Sequence, residues 1–142
     1  MGKGIYCLVL SGGGSSIRIG AIGEQFFPQG YYVYAGSALG PGGLQARVGR
    51  HIQTAKFPGS KTHWHIDHLL LHPDVEWAGS AMAPDGDECV ISRRIAEESG
   101  VTVPVEGFGS SDCRSGCKAH LYRLPEKAWR PGFARWIKDP KV

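Results

Sequence analysis

Gly30-Tyr31-Tyr32-Val33-Tyr34-Ala35-Gly36-Ser37, continued by Ala38 to Thr54, decides how the chain reads. Tyr31, Tyr32, Val33 and Tyr34 are strong strand formers. Gly40, Pro41, Gly42 and Gly43 are turn residues. Leu44, Val48 and Ile52 then recur at every fourth position, an apolar helix stripe. The stretch is a strand, a glycine-rich turn and a helix from about Leu44 to Thr54. Arg47 and His51 sit one helical turn apart on the flank of that stripe. A permanently charged guanidinium and a titratable imidazole therefore point the same way, near the end of a strand that carries the Tyr34 hydroxyl. That combination offers donors for phosphate and a candidate proton acceptor.

Outward from this stretch, the chain is long enough at 142 residues for one domain with a real core. Hydrophobic content is 42% and charged content 20%, which excludes a disordered chain. No apolar run reaches membrane-spanning length and the N-terminus lacks a secretory pattern, so the reading is a cytoplasmic protein with no membrane partner. In that compartment the four cysteines read as thiols or metal ligands rather than disulfides. The net charge of +3 permits a polyanionic partner without demanding one.

Gly4 to Leu10 is an apolar run closed by Ser11 to Ser16, a buried strand ending in a hairpin turn. The glycine-rich turn lacks the lysine of a phosphate-binding loop. Ile17 to Ile22 reads as a second strand, Gln25 to Gly30 as a connector and Tyr31 to Gly36 as a third strand, together a small antiparallel meander. The expected fold is α/β (α+β): one compact domain over 1–142, with a small mainly antiparallel sheet flanked by helices. Its core spans about 4–124. The tail 125–142 docks through Trp129, Phe133 and Trp136 and leaves Arg130, Arg135 and Lys138 exposed.

Four of the six histidines fall in His63-Trp64-His65-Ile66-Asp67-His68-Leu69-Leu70-Leu71-His72. Read as a strand, His63, His65 and Asp67 share a face; read as a helix, His65, His68 and His72 do. Either set has metal-ligand chemistry, although spacing alone does not fix a coordination geometry, and surface or hydrogen-bonded histidines are the simpler reading. Asp74 to Met82 reads as a strand. Glu88 to Ser99 reads as a helix stopped by Gly100. Glu88 shares a stripe with Ile91 and Ile95, and a carboxylate on an apolar face wants a partner such as a cation. Val101 to Val105 reads as a short strand. Cys113, Cys117 and His120 have spacings compatible with a structural zinc corner, with Cys89 as a fourth ligand; buried reduced thiols are the competing reading.

Gly4-Ile5-Tyr6 and Tyr34-Ala35-Gly36 resemble the two name-giving motifs of the GIY-YIG endonuclease superfamily. Arg47 fits the helix arginine of that family and His51 the residue one turn later. The chain is most similar to its compact Uri-type branch, which also carries stretches like His63-Trp64-His65-Ile66-Asp67, Glu88-Cys89 and Gly107-Phe108-Gly109-Ser110-Ser111-Asp112-Cys113. Three departures stand out. Ala35 replaces the usual Ile. The two motifs lie further apart than usual, which implies an extra hairpin between them. The chain contains no Asn where the family has a late one near the site, so His120 or Asp112 substitutes or that role is missing.

The resemblance implies metal-dependent hydrolysis of phosphodiester bonds in nucleic acid, DNA ahead of RNA. Arg47 would stabilise charge on phosphate oxygens. Glu88 would hold Mg²⁺ or Mn²⁺. Tyr6 or Tyr34 would accept the proton of the attacking water, with His51 as alternative base or relay; a free tyrosine pKa of about 10 requires a nearby cation for that role. His65, Asp67 and Asp112 are further site candidates, and Arg50, Lys56 and Lys61 are candidates for phosphate contacts. Two rivals remain at this point. One is a catalytically inactive nucleic-acid-binding module held by structural Zn²⁺. The other is a metal phosphohydrolase built on the histidine cluster. Oligomeric state is open.

Overall fold

The computed structural model describes residues 4–38, 43–57, 65–83, 88–98, 100–105, 108, 119–124 and 129–137, without side-chain detail at 21, 38, 45, 88, 130 and 134. In chain order the elements are β1 (Gly4–Gly12), β2 (Ser15–Ile19), a 3₁₀ turn (Gly20–Ile22), β3 (Gly23–Phe27), β4 (Gly30–Ala38), α1 (Gly43–Lys56), α2 (His65–Leu70), β5 (Val75–Ala83), α3 (Glu88–Ala96), β6 (Leu121–Leu124) and α4 (Trp129–Trp136).

Alternation along β1 sets the architecture. Ile5, Cys7 and Val9 point to one side and Tyr6, Leu8 and Leu10 to the other, and all six are buried. A strand buried on both faces belongs in the middle of a sheet. β1 pairs with β4 along its whole length, from Gly4 opposite Ala38 to Gly12 opposite Gly30. On its other edge it pairs with β5, and β6 adds to β4, giving the order β5-β1-β4-β6 with every pairing antiparallel. The register between β1 and β5 skips Ala78 after Val9, because Leu10 pairs with Trp77. The fold is therefore α+β with a four-stranded antiparallel sheet, and the expected strands at Gly4 to Leu10, Tyr31 to Gly36 and Asp74 to Met82 are all present.

The sheet separates two apolar clusters. On one face Tyr6, Leu8, Tyr32 and Tyr34 pack with Leu44 and Val48 of α1 and with Ile66, Leu69 and Leu70 of α2. Ile17, Ile19 and Phe27 of the β2–β3 hairpin complete that cluster. On the other face Cys7, Val9, Val33 and Ala35 pack with Ile91 and Ile95 of α3 and with Trp129, Phe133 and Trp136 of α4. Trp129, Phe133 and Trp136 are all buried in this second cluster. Glu98, just past α3, accepts hydrogen bonds from Arg135 Nε at 2.7 Å and Trp136 Nε1 at 2.8 Å, while Arg135 stays exposed. Arg130 and Lys138 lie outside the described side chains.

Three local expectations are corrected. Ile17 to Ile22 is not one strand: β2 stops at Ile19 and the chain turns through Gly20 (φ +44°) and Gly23 (φ +90°), conformations that suit glycine. Gln25 to Gly30 is not a connector, because β3 occupies Gly23–Phe27 and pairs with β2 from Ser15 opposite Phe27 to Ile19 opposite Gly23. This two-stranded hairpin lies between Gly4-Ile5-Tyr6 and Tyr34-Ala35-Gly36, where a hairpin is expected. Val101 to Val105 is no strand; it contributes a single bridge, Thr102 opposite Arg123. Among the described residues no helix is long and apolar enough to cross a membrane.

Candidate active site

The site begins with strand register. Tyr6 stands opposite Gly36 and Leu8 opposite Tyr34, so Tyr6 and Tyr34 are diagonal neighbours on the same face. Their ring centroids are 6.3 Å apart. A Cβ placed on Gly36 would overlap Cζ and Oη of Tyr6. Glycine in the second motif is thus the space that the first motif's phenol fills.

α1 lies over this face because Leu44 and Val48 bury against the tyrosines. The same turn of helix carries His51 inward. His51 is 0% exposed, and its Nε2 is hydrogen-bonded to the Tyr6 hydroxyl at 2.8 Å. The two rings lie 5.3 Å apart. Burial pushes the imidazole down to about 4; the Asp67 charge opposes this fall, while Arg50 and Arg47 add to it. At neutral pH His51 is therefore an uncharged ring with a nitrogen available as a hydrogen-bond acceptor.

α2 settles the ambiguity of the histidine-rich stretch. His65–Leu70 is a helix, so the strand reading that places His65 and Asp67 on one face does not hold. Asp67 points inward among Ile66, Leu69 and Leu70 and is 0% exposed. A buried carboxylate needs a charged partner. Arg50 supplies it, with Nη1 3.3 Å from Oδ1 and Nη2 3.4 Å from Oδ2. Asp67 Oδ1 also stands 3.9 Å from His51 Nδ1. Tyr6, His51, Asp67 and Arg50 form one continuous line from strand to helix to helix. Sequence reasoning names all four and misses that they connect. The available signal is the acid itself, set among Ile66, Leu69, Leu70 and Leu71.

Arg47 is half-buried and donates from Nη1 to the Ser37 carbonyl at 3.2 Å, on the strand that carries Tyr34. Tyr34 packs edge-on against Phe108 at 6.1 Å. His65 approaches the same Phe108 ring at 5.5 Å and is lowered in pKa by burial and by the neighbouring His68. Phe108 is a site neighbour that sequence reasoning misses. Lys56 is exposed at the end of α1. Arg50 is drawn onto Asp67 rather than projecting freely toward solvent.

Other candidates fall elsewhere. Glu88 opens α3, a few residues after Ala83, which pairs with Ile5 next to Tyr6; its side chain lies outside the description. Lys61, Asp112, Cys113 and Cys117 also lie outside the described residues. His120 is buried; its backbone N–H donates to the Phe108 carbonyl at 2.8 Å, and its backbone carbonyl accepts from the Ala35 N–H at 2.9 Å. Cys89 is half-buried at the start of α3, and Cys7 is a core thiol pushed up to about 12 by burial. Among the described residues no three His, Cys, Asp or Glu side chains gather closely enough to cage a metal ion.

A family model described as a domain of unknown function, DUF123, matches residues 5–138. No curated protein and no solved structure matches the chain.

Proposed function

The chain belongs to the DUF123 family, and from its candidate site we propose that it is a metal-dependent endonuclease of the GIY-YIG kind, Uri-type branch, acting on DNA ahead of RNA. The observation that carries the reading is the buried Tyr6–His51 hydrogen bond of 2.8 Å beside Arg47. A phenol bonded to a neutral imidazole has a route for its proton, which an isolated tyrosine lacks. In this reading the Tyr6 oxygen takes a proton from the attacking water while its own proton passes to His51 Nε2. The hydroxide bonds to phosphorus and the bond to the leaving oxygen breaks. Arg47 balances the charge that develops on the phosphate oxygens. Tyr34 offers a second hydroxyl on the same face. α1 supports the reading electrostatically, because it carries Arg47, Arg50 and Lys56 and no acid.

A divalent cation enters through Glu88. In this reading Glu88, whose side chain lies outside the described residues, would hold Mg²⁺ or Mn²⁺ with waters and substrate phosphates completing the shell, an arrangement that suits a lone carboxylate. When bound, such an ion supplies charge stabilisation at the leaving oxygen. A structural Zn²⁺ at Cys113, Cys117, His120 and Cys89 belongs to the competing binding-module reading.

The test is incubation with end-labelled single- and double-stranded DNA and RNA, with Mg²⁺, Mn²⁺ or chelator. Internal cleavage of DNA that chelator abolishes is the expected result. Binding without cleavage under every metal would replace the enzyme by the inactive module.

A further inference from the structure

The Tyr6–His51 hydrogen bond works as a proton route only if His51 presents an unprotonated Nε2, and nothing on the ring itself dictates that tautomer. We propose that Asp67 is a positioning residue that fixes His51 with its proton on Nδ1, facing the Asp67 carboxylate, and its Nε2 lone pair facing the Tyr6 hydroxyl. The inference rests on the reading of Tyr6 and His51 as a proton-transfer pair and assigns a role to the acid behind them.

The geometry carries the argument. Asp67 Oδ1 is 3.9 Å from His51 Nδ1, and both side chains are buried. That separation is a charge contact rather than a hydrogen bond, so its influence is electrostatic. A carboxylate facing a bare nitrogen lone pair repels it; facing an N–H it attracts it. The opposite nitrogen, Nε2, is the one 2.8 Å from Tyr6 Oη. A proton on Nδ1 therefore satisfies both neighbours together, and the other tautomer opposes Asp67. The order is acid, imidazole and hydroxyl, in which the acid sets the tautomer and stabilises the imidazolium that forms when the hydroxyl proton moves. That stabilisation is needed here. A ring whose pKa lies near 4 resists protonation in the resting state, and the Asp67 charge is the group opposing that resistance.

Arg50 fixes the acid in turn. Its guanidinium spans both carboxylate oxygens, from Nη1 to Oδ1 at 3.3 Å and from Nη2 to Oδ2 at 3.4 Å. The fork sets the carboxylate plane, and with it the oxygen that looks at His51. Among the described residues, the charged and titratable groups around the ring come from three elements: Tyr6 on β1, Arg47 and Arg50 on α1, and Asp67 on α2.

The test is Asp67→Asn, read in two ways. In ¹⁵N-histidine-labelled protein at pH 7, long-range nitrogen–proton correlation reports which His51 nitrogen carries the proton. The unchanged protein is expected to show the proton on Nδ1; a proton on Nε2 there overturns the proposal without any variant. In Asp67→Asn the amide can donate to Nδ1, so the proton is expected to move to Nε2. DNA cleavage should then fall by roughly 100- to 10,000-fold in kcat, with KM little changed. An unchanged tautomer in a folded Asp67→Asn protein, or a loss confined to KM, also overturns it. The expected tautomer switch in a protein that cuts nothing upholds the positioning role and removes the nuclease reading, so the two failures are distinguishable.

Discussion

One face of the sheet presents Tyr6 and Tyr34 to α1 and α2; the other presents Cys7, Val9 and Ala35 to α3 and α4. The two surfaces come from alternate residues of the same strands, and what covers them differs in kind. On the first face the covering helices bury His51, Thr54 and Asp67. On the second they bury Ile91, Ile95 and a run of aromatics from α4. A buried ion pair adds little net stability over well-packed apolar residues. The first face therefore carries polar groups that the fold does not require, and the second resembles a conventional core. The division of labour is testable because substitutions on the two faces should fail in different assays.

The largest effect is expected at the first face. Tyr6→Phe removes the hydroxyl and should lower DNA cleavage by roughly 100- to 10,000-fold. Its stability cost should be only about 1–3 kcal/mol, from the buried His51 nitrogen left without its partner. Equal rates for Tyr6→Phe and the unchanged protein would remove Tyr6 from the chemistry and pass the role to Tyr34. Next comes Arg47→Ala, with a loss on the order of 100- to 1,000-fold in rate. Arg93 on α3 is exposed, and Arg93→Ala should change the rate little. If both arginines mattered equally and weakly, diffuse phosphate affinity would explain them and the faces would not differ.

The second face should break the other way. Trp136 is 0% exposed and packs on Phe133 and the α3 stripe. Trp136→Ala should cost about 3–5 kcal/mol in urea unfolding, while the fraction that remains folded cleaves at the normal rate. Loss of activity with stability intact would show the faces to be coupled.

The smallest effect concerns pH. His51 sits near 4 when folded and near 6.5 when unfolded. As pH falls below about 6.5 the unfolded chain takes up a proton at this ring that the folded chain refuses. The contribution to stability is therefore intact above about pH 6.5 and declines as pH falls, by about 3 kcal/mol at pH 4. Comparing urea unfolding at pH 7 and pH 4 for the unchanged protein and His51→Gln isolates it. Identical pH dependence in the two proteins would mean that the ring is not held neutral.

The sheet's central strands and α1 are legible in the sequence because each carries a strong signal of its own. The apolar run of β1, the aromatic and β-branched run of β4 and the four-residue stripe of α1 need no outside partner to be read. β3 is hidden because Gly23, Glu24 and Gln25 are poor strand formers; its pairing with β2 makes the strand. The stretch from Val101 fails in the opposite sense, with β-branched residues but only the Thr102 bridge to hold them. In the site, Tyr34, Arg47 and His51 are legible from the strand and helix pattern, and Tyr6 from the resemblance of Gly4-Ile5-Tyr6 to a family motif. The link from His51 through Asp67 to Arg50 is not, because it depends on how α2 is laid against α1, and helix packing leaves no mark at a fixed spacing.

Gly36 gives the two short motifs a different meaning from that of paired signatures. Each is the mould of the other: the tyrosine of the first is cast against the bare backbone of the second, across one strand pair. The position of the Tyr6 oxygen is thus set by an atom that is missing. A methyl group added at residue 36 would act at a distance, shifting a hydroxyl on the neighbouring strand and opening its 2.8 Å contact with His51. The strands need not unpair for this to happen. Gly36→Ala is in effect a substitution of Tyr6 made from across the sheet.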